Sequence, residues 1–538
     1  MTAEPEPTPP QAPAVQATNP FAGIPASALF RDALPLLLLL ISLGLPWNID
    51  ATSGVKNSAG HIEVILVTVL SMLSLSLPYL ARAKVFGAGL SAPQVGIARA
   101  VANAPYAIVV AIYLILDVSK VGDNWIADGG IGYGAALGLA GAALAGMPRK
   151  IESDSASTGA LQASMMRLAV PALAALWVFL SFINLINIFV DWASLVDDAV
   201  STIALAISVL IVLVPLALIA AGLFLRSAVA RTVTVTGGVV VLGAVTIDWF
   251  SGWSLSMGGV ESVHRPVFGI IAFITLGALA SSPLFSNAMR PVADVHRYTR
   301  SAGVLLLAQA GLVVATAIMT VLALISDTGL SGGKAAGYIF TLVIIGAMAS
   351  VAFLLTWKGA ASTRLLALAL TAGTIIVGII AVILVKSMST VTLFDVIYAF
   401  GLPIATLVLL MAPTSMRTHY GSLAKAGVAP VATPVVPPAP VVPPAPVVPP
   451  APVIPPAPVV PPTPPTLQKT PASETVHPRA AEAADPETPA QALFEIASNI
   501  PKLRAAVAAN PSTYPDLVTW LGLLGDPAVD AALKARGA

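Results

Sequence analysis

Cysteine is missing from all 538 residues, which excludes disulfides, thiolate metal sites, iron–sulfur ligation and a cysteine nucleophile. Charge is scarce as well. Asp, Glu, Lys and Arg make up 10% of the chain, against about a quarter in soluble globular proteins. Histidine occurs five times, at His61, His264, His296, His419 and His477, with no paired spacing that would mark a zinc site. No serine stands in a Gly-x-Ser-x-Gly elbow. Residues 328–335 look like a phosphate loop around Lys334, but Thr328 replaces the leading glycine and Ala335 the metal-binding hydroxyl. Net charge is only +1, so no nucleic-acid partner is expected. No catalytic residue, metal or cofactor is predicted, and nothing argues for an enzyme.

What the chain has in excess is apolar side chains, 57% of the total. Hydrocarbon is about 30 Å thick and a helix rises about 1.5 Å per residue, so membrane spans appear as runs of about 17 to 25 apolar residues. Twelve such runs are present, at 29–47, 62–81, 99–116, 129–147, 168–190, 199–225, 230–250, 265–285, 302–326, 335–357, 365–385 and 393–412. Without the period-two alternation of barrel strands, they predict an all-α polytopic transmembrane bundle over residues 29–412. The seventh run is diluted by Thr232, Thr234, Thr236 and the pair Gly237 and Gly238.

Positive charge is retained in the cytoplasm, which gives an independent test of the threading. Sixteen basic residues flank one set of loops: Arg31, Arg82, Lys84, Arg99, Arg149, Lys150, Arg167, Arg226, Arg231, Arg290, Arg297, Arg300, Lys358, Arg364, Arg417 and Lys425. The opposite set holds five, Lys56, Lys120, Arg265, Lys334 and Lys386. Both termini are therefore expected in the cytoplasm, with the bundle in the inner membrane. Trp47, Trp125, Trp192, Trp249 and Trp253 fall at the outer ends of runs, as in an interfacial anchoring belt.

Ionisable groups at bilayer depth mark transport or proton relays. None stands at the centre of a clear run. Asp32, Asp117, Asp191, Asp248 and Asp395 lie near run ends, where water or headgroups are expected to reach them, and this argues against a proton-coupled pump. The uncharged amides Asn184, Asn187 and Gln309 remain as a candidate polar pathway or as hydrogen bonds between helices. Gly130, Gly134 and Gly138, four residues apart, are candidates for close helix packing. Twelve spans match the major facilitator transporters in number, but residues 81–87 lack the acidic and basic hallmark that family places after its second span.

Outside the bundle, residues 1–28 read as a disordered Pro- and Ala-rich tail without the basic cluster of a secretory signal. Residues 413–486 form a Pro-rich tether in which a Val-Val-Pro-Pro-Ala-Pro hexad recurs. Proline fixes its own dihedral and biases its predecessor, so this stretch is expected to be a polyproline II spacer. Residues 487–538 then carry clear helix punctuation. Thr488 with Gln491 suggests a capping box and Pro489 a first helical position, and new starts follow at Pro501, Pro515 and Asp526-Pro527. Leu503, Val507, Trp520 and Leu521 are candidates for its small core.

The segments 503–511, ending Ala-Asn-Pro, and 525–529, with its Asp-Pro turn, resemble the variant leucine-rich repeat family. The resemblance implies a helical repeat fold without enzymatic activity. Residues 19–25 and the start of the first run are similar to uncharacterised bacterial multi-pass membrane proteins. Repeat units bury their faces on their neighbours, so two units leave an edge for a protein partner or a second copy. The functional expectation is a membrane anchor presenting an interaction module on a tether, and the alternative is a transporter or flippase for a neutral or amphiphilic solute.

Overall fold

A backbone in hydrocarbon must satisfy its hydrogen bonds internally, and among the described residues each apolar run is helical over most of its length. The computed structural model describes residues 26–50, 52, 54–86, 91–122, 128–147, 156–192, 199–251, 260–265, 268–326, 331–359, 361–389, 391–427, 479–522 and 526–536. These fall into two units, Met1–Val435 and Val436–Ala538. Of the tether expected over residues 413–486, residues 428–478 lie outside the described residues, as does the N-terminal tail up to residue 25, while the tether's two ends are helical at Thr414–Gly427 and Ala480–Ala484.

The first unit opens with α1 (Ala26–Gly44), a hairpin of β1 (Pro46–Asp50) and β2 (Gly54–Asn57), α2 (Ile62–Ser74), α3 (Leu77–Arg82) and α4 (Ala92–Val118). A two-residue strand β3 (Ile131–Gly132) leads into α5 (Tyr133–Gly146), and α6 (Ala156–Asn187) ends in a π-helical turn at Ile188–Trp192. Next come α7 (Ala199–Phe224), α8 (Ala228–Ser251), strand β4 (Val260–Glu261), α9 (Ile270–Ala280) and α10 (Pro283–Asn287). The unit continues through α11 (Asp294–Ile325), α12 (Gly332–Lys358), α13 (Arg364–Lys386) and α14 (Leu393–Val396). A second π turn at Ile397–Gly401 joins α14 to α15 (Leu402–Met411), and α16 (Thr414–Gly427) follows.

Nine helices among the described residues are long and apolar enough to cross a membrane. The diluted seventh run is one of them, spanning Ala228–Ile247, because each threonine returns its hydroxyl hydrogen to its own helix four residues back. Of the other three runs, the first forms the 19-residue α1 and two give short helices. α5 has 14 residues and α9 has 11, about 21 and 16 Å of rise. Each is preceded by extended backbone, and these two segments pair as β3 with β4. Gly130, expected on a helix, stands just before β3 with φ of 84°. The run is interrupted there because glycine, with no Cβ, adopts this left-handed conformation readily.

Side chains are distributed inside out. Leu218, Leu365 and Phe340 are 70%, 78% and 65% exposed on the outside of the bundle, while Thr371, Thr374 and Gln309 are fully buried within it. In water such a surface would be costly, whereas in lipid the apolar exterior is solvated and the interior polar groups find one another. The chain is thus a polytopic helical membrane protein. Trp47 does not sit in an interfacial belt. It is fully buried and packs edge-to-face on Tyr106 and Tyr113, with ring centroids 6.2 and 5.3 Å away. Trp125, Trp253 and the side chains of Trp192 and Trp249 lie outside the described residues.

The second unit has α17 (Ala480–Ala484), α18 (Ala490–Asn499), a 3-10 turn at Pro501–Leu503, α19 (Arg504–Ala509), α20 (Pro515–Gly522) and α21 (Pro527–Arg536). Leu493, Ile496, Leu503, Val507, Leu517, Leu521, Val529 and Leu533 form its core. Trp520 is half-buried at the edge, 6.3 Å from the ring of Phe494. Thr488 does not cap α18. Its hydroxyl donates to the carbonyl of Glu482 at 2.6 Å, and Pro489 takes the capping position.

Candidate functional site

Asp117, at the end of α4, is fully buried, although its place near a run end suggested access to water. The polypeptide between β4 and α9 closes over it. Ser262 Oγ lies 2.7 Å from Asp117 Oδ1, and His264 Nδ1 is 2.7 Å from the same oxygen. The amide of Val263 donates to Asp117 Oδ2 at 2.5 Å. Gly129 fits against this group with φ of 130°, where a Cβ would come within 3.1 Å of Asp117 Oδ1 and 3.4 Å of His264. Arg265 turns back and donates to the Gly129 carbonyl at 2.9 Å, so the two pre-helical segments are bonded across their side chains as well as through β3 and β4.

Asn184 and Asn187 hold the same segment from α6. The Asn184 amide donates to the carbonyls of Ser262 at 3.0 Å, Val263 at 2.8 Å and also Arg265. Asn187 donates to the His264 carbonyl at 2.7 Å. Buried non-helical backbone needs such partners, because its carbonyls have no helix and no water to turn to.

Serine, histidine and aspartate together invite comparison with a nucleophilic triad, and the geometry differs from one. In a triad the acid and the serine occupy opposite nitrogens of the imidazole. Here Ser262 Oγ and Asp117 Oδ1 are both 2.7 Å from Nδ1. The cluster locks two segments together, but the acid and the serine crowd one ring nitrogen instead of flanking the ring as a triad requires. Beside it, Glu261 is 3% exposed and receives the Ile271 amide on both oxygens at 3.0 and 3.1 Å. Burial pushes its carboxyl up to about 8, against the opposing pull of the backbone amides at the start of α9.

The second polar site is built on α14 and its π turn. Asp395 is 2% exposed, again contrary to the expectation of solvent access. Its Oδ2 receives the Thr392 amide and hydroxyl, each at 2.7 Å, closing a capping box at the start of α14. Tyr338 of α12 donates to Oδ1 at 2.7 Å and lies 3.0 Å from the Tyr398 hydroxyl. A π turn widens the helix and frees carbonyls, and Gln309 of α11 donates to the Tyr398 carbonyl at 2.9 Å and to Thr374 at 3.2 Å. Buried acids are therefore present at Asp117, Glu261 and Asp395, and the argument against proton coupling from their absence does not hold. Sequence reading missed them because run position alone does not reveal which loop folds back over a helix end.

The three amides do not converge. Asn184 and Asn187 serve the β4–α9 segment and Gln309 serves the π turn; none of them lines the cavity of about 210 Å³ beside Asp395. Of the glycines, Gly134 and Gly138 lie on α5 at close approaches. An added Cβ would fall 2.2 Å from Ser58 Oγ in the first case and 1.6 Å from the Tyr106 hydroxyl in the second. Among the described residues, no three His, Asp or Glu side chains are grouped to hold a metal ion.

In the second unit the Asn-Pro turn is the structural knot. Asn510 is 1% exposed and donates to the carbonyls of Ala483 at 3.0 Å and Asp485 at 2.8 Å. Arg536 then bonds the carbonyls of Asn510, Pro511 and Thr513 at 2.7 to 2.9 Å, bringing α21 onto the turn.

A polytopic helical membrane bundle followed by a separate small helical unit is the class of protein these features define. The chain belongs to the family described as Domain of unknown function (DUF7937), whose model matches residues 28–419. Residues 477–537 match the Leucine Rich Repeat Variant domain. No curated protein matches the chain, and no solved structure does.

Proposed function

We propose that the chain is a membrane anchor that presents a protein-interaction module on the cytoplasmic side of the inner membrane. The carrying observation is the Leucine Rich Repeat Variant domain at residues 477–537, which folds on a core of its own. Phe494 is 41% exposed next to the half-buried Trp520, and the Arg504 guanidinium lies 5.6 Å from the Trp520 ring centroid. An aromatic pair with an arginine is the composition that anchors protein interfaces. A protein partner or a second copy of the module is the occupant this edge suits.

The distribution of basic residues supports cytoplasmic termini. The Pro-rich composition of residues 435–464 suits a spacer. The test removes residues 477–538 and compares what co-purifies with the two proteins. Membrane insertion is expected to persist while specific partners are lost; an unchanged partner set overturns the reading. Reporter tags within residues 435–464 should report the cytoplasm, and tags on the opposite face would refute the orientation.

A second reading is movement of a neutral or amphiphilic solute through the bundle, and the observation that favours it is the cavity beside Asp395.

A further inference from the structure

The cavity beside Asp395 is lined from α7, α11, α12, α13 and α14, and reaches on the order of 10 Å inside the ends of α7 and α11, where Ser208 and Thr316 stand. Apart from the exposed Ser389 at its edge, the hydroxyl groups that line it have one property in common. Ser208 donates its hydroxyl hydrogen to the Leu205 carbonyl at 2.6 Å, Thr316 to Leu312 at 2.9 Å and Thr320 to Thr316 at 2.9 Å. Tyr338 and Thr392 donate theirs to Asp395, each at 2.7 Å. A hydroxyl has one hydrogen and two lone pairs, so what these five groups retain is acceptor capacity. Asp395 adds a carboxylate, and the ion pairs of the described residues do not include it.

A concave site built of hydroxyl acceptors around one carboxylate is complementary to a donor-bearing cation of single charge. A divalent metal would call for several anionic oxygens, and one carboxylate supplies one charge. The rest of the wall is apolar, with Ile211, Met319, Val385, Met388 and Phe394. The volume is about 210 Å³. This is too large for a bare alkali ion and smaller than a drug-sized pocket.

We propose that this cavity binds a small organic monocation, an ammonium group on a short apolar body, with the ammonium on Asp395 and the body against the methionines and Phe394. The proposal concerns binding alone. It stands whether or not the bundle moves a solute, and it is independent of the interaction module.

The test uses the purified full-length protein in lipid nanodiscs, titrated with n-butylammonium chloride while thermal unfolding is followed. Sodium chloride at equal ionic strength and n-butanol at equal concentration are the controls. Butylammonium alone is expected to raise Tm saturably. Asp395→Asn, which keeps the shape and removes the charge, should weaken the apparent affinity by about tenfold or more. Ser208→Leu fills the cavity while leaving the carboxylate with its donors, and should weaken it similarly. If Asp395→Asn does not fold, Ser208→Leu decides alone. No rise in the wild type, an equal rise with sodium chloride or butanol, or undiminished affinity in Ser208→Leu overturns the proposal.

Discussion

The side-chain amide of Asn184 on α6 holds the carbonyl of Val263 at 2.8 Å across a sequence separation of 79 residues. It bonds Ser262 and Arg265 from the same nitrogen, so one side chain substitutes for the hydrogen bonds the helix lacks between β4 and α9. Asn184→Leu leaves these buried carbonyls without their donor. Loss of a partner to a buried polar group costs about 1–3 kcal/mol. The expected outcome is a lower Tm in nanodiscs, with faster hydrogen exchange confined to residues 260–271. A Tm equal to that of the wild type would show that the clamp is dispensable.

Gly138 is where α5 meets the Tyr106 ring, which is fully buried and cannot swing away. Because an added Cβ would lie 1.6 Å from the tyrosine hydroxyl and 2.3 Å from Cζ, Gly138→Ala must displace one helix from the other. Overpacking of this kind costs about 1–3 kcal/mol. The double variant Gly138→Ala, Tyr106→Leu should recover part of the loss, which a double-mutant cycle on thermal unfolding measures. Equal losses in the single and double variants would deny the contact.

Glu261 should make stability depend on pH. Its carboxyl moves from 4.5 to about 8 on folding because burial disfavours the charged form. Between those values the folded state keeps a proton that the unfolded state releases, so this residue's contribution falls as pH rises through that window and is constant above it. Glu261→Gln should remove that part of the slope and raise Tm relative to the wild type at pH 8. Parallel Tm profiles for the two proteins between pH 5 and pH 8 would contradict the assignment.

In the C-terminal unit, Asn510 bonds two carbonyls of the α17 region with its side-chain nitrogen and receives the Ser512 amide on its oxygen at 2.9 Å. Asn510→Ala orphans these groups at a cost of about 1–3 kcal/mol. Proteolysis of the full-length protein should then cut preferentially within residues 479–536 and leave the bundle intact. Unchanged protection of that segment is the opposing outcome.

Much of the bundle is legible in the sequence, since span length follows from the thickness of oil and helical rise. Runs such as 365–385 and 335–357 became α13 and α12 with ends displaced by a few residues. The short helices were less legible. The run 129–147 begins with glycines that look like packing positions, yet Gly129 and Gly130 take positive φ and start an extended segment instead. Hydropathy counts side chains and is blind to that difference in backbone.

Composition and local order by themselves determined that this chain lives in lipid as helices, that it has no thiol chemistry, and that a separate helical unit follows a Pro-rich stretch. These depend on transfer free energy and short-range sterics, both of which are summed along the chain. Only the tertiary structure decided that Asp117 is sealed by Ser262 and His264, that Asn184 and Gln309 serve different segments, and that Asp395 faces a cavity of acceptors. Such facts depend on which distant backbone folds over which helix end. Electrostatics and hydrogen bonding act over a few ångströms in space, with no fixed spacing in sequence to betray them.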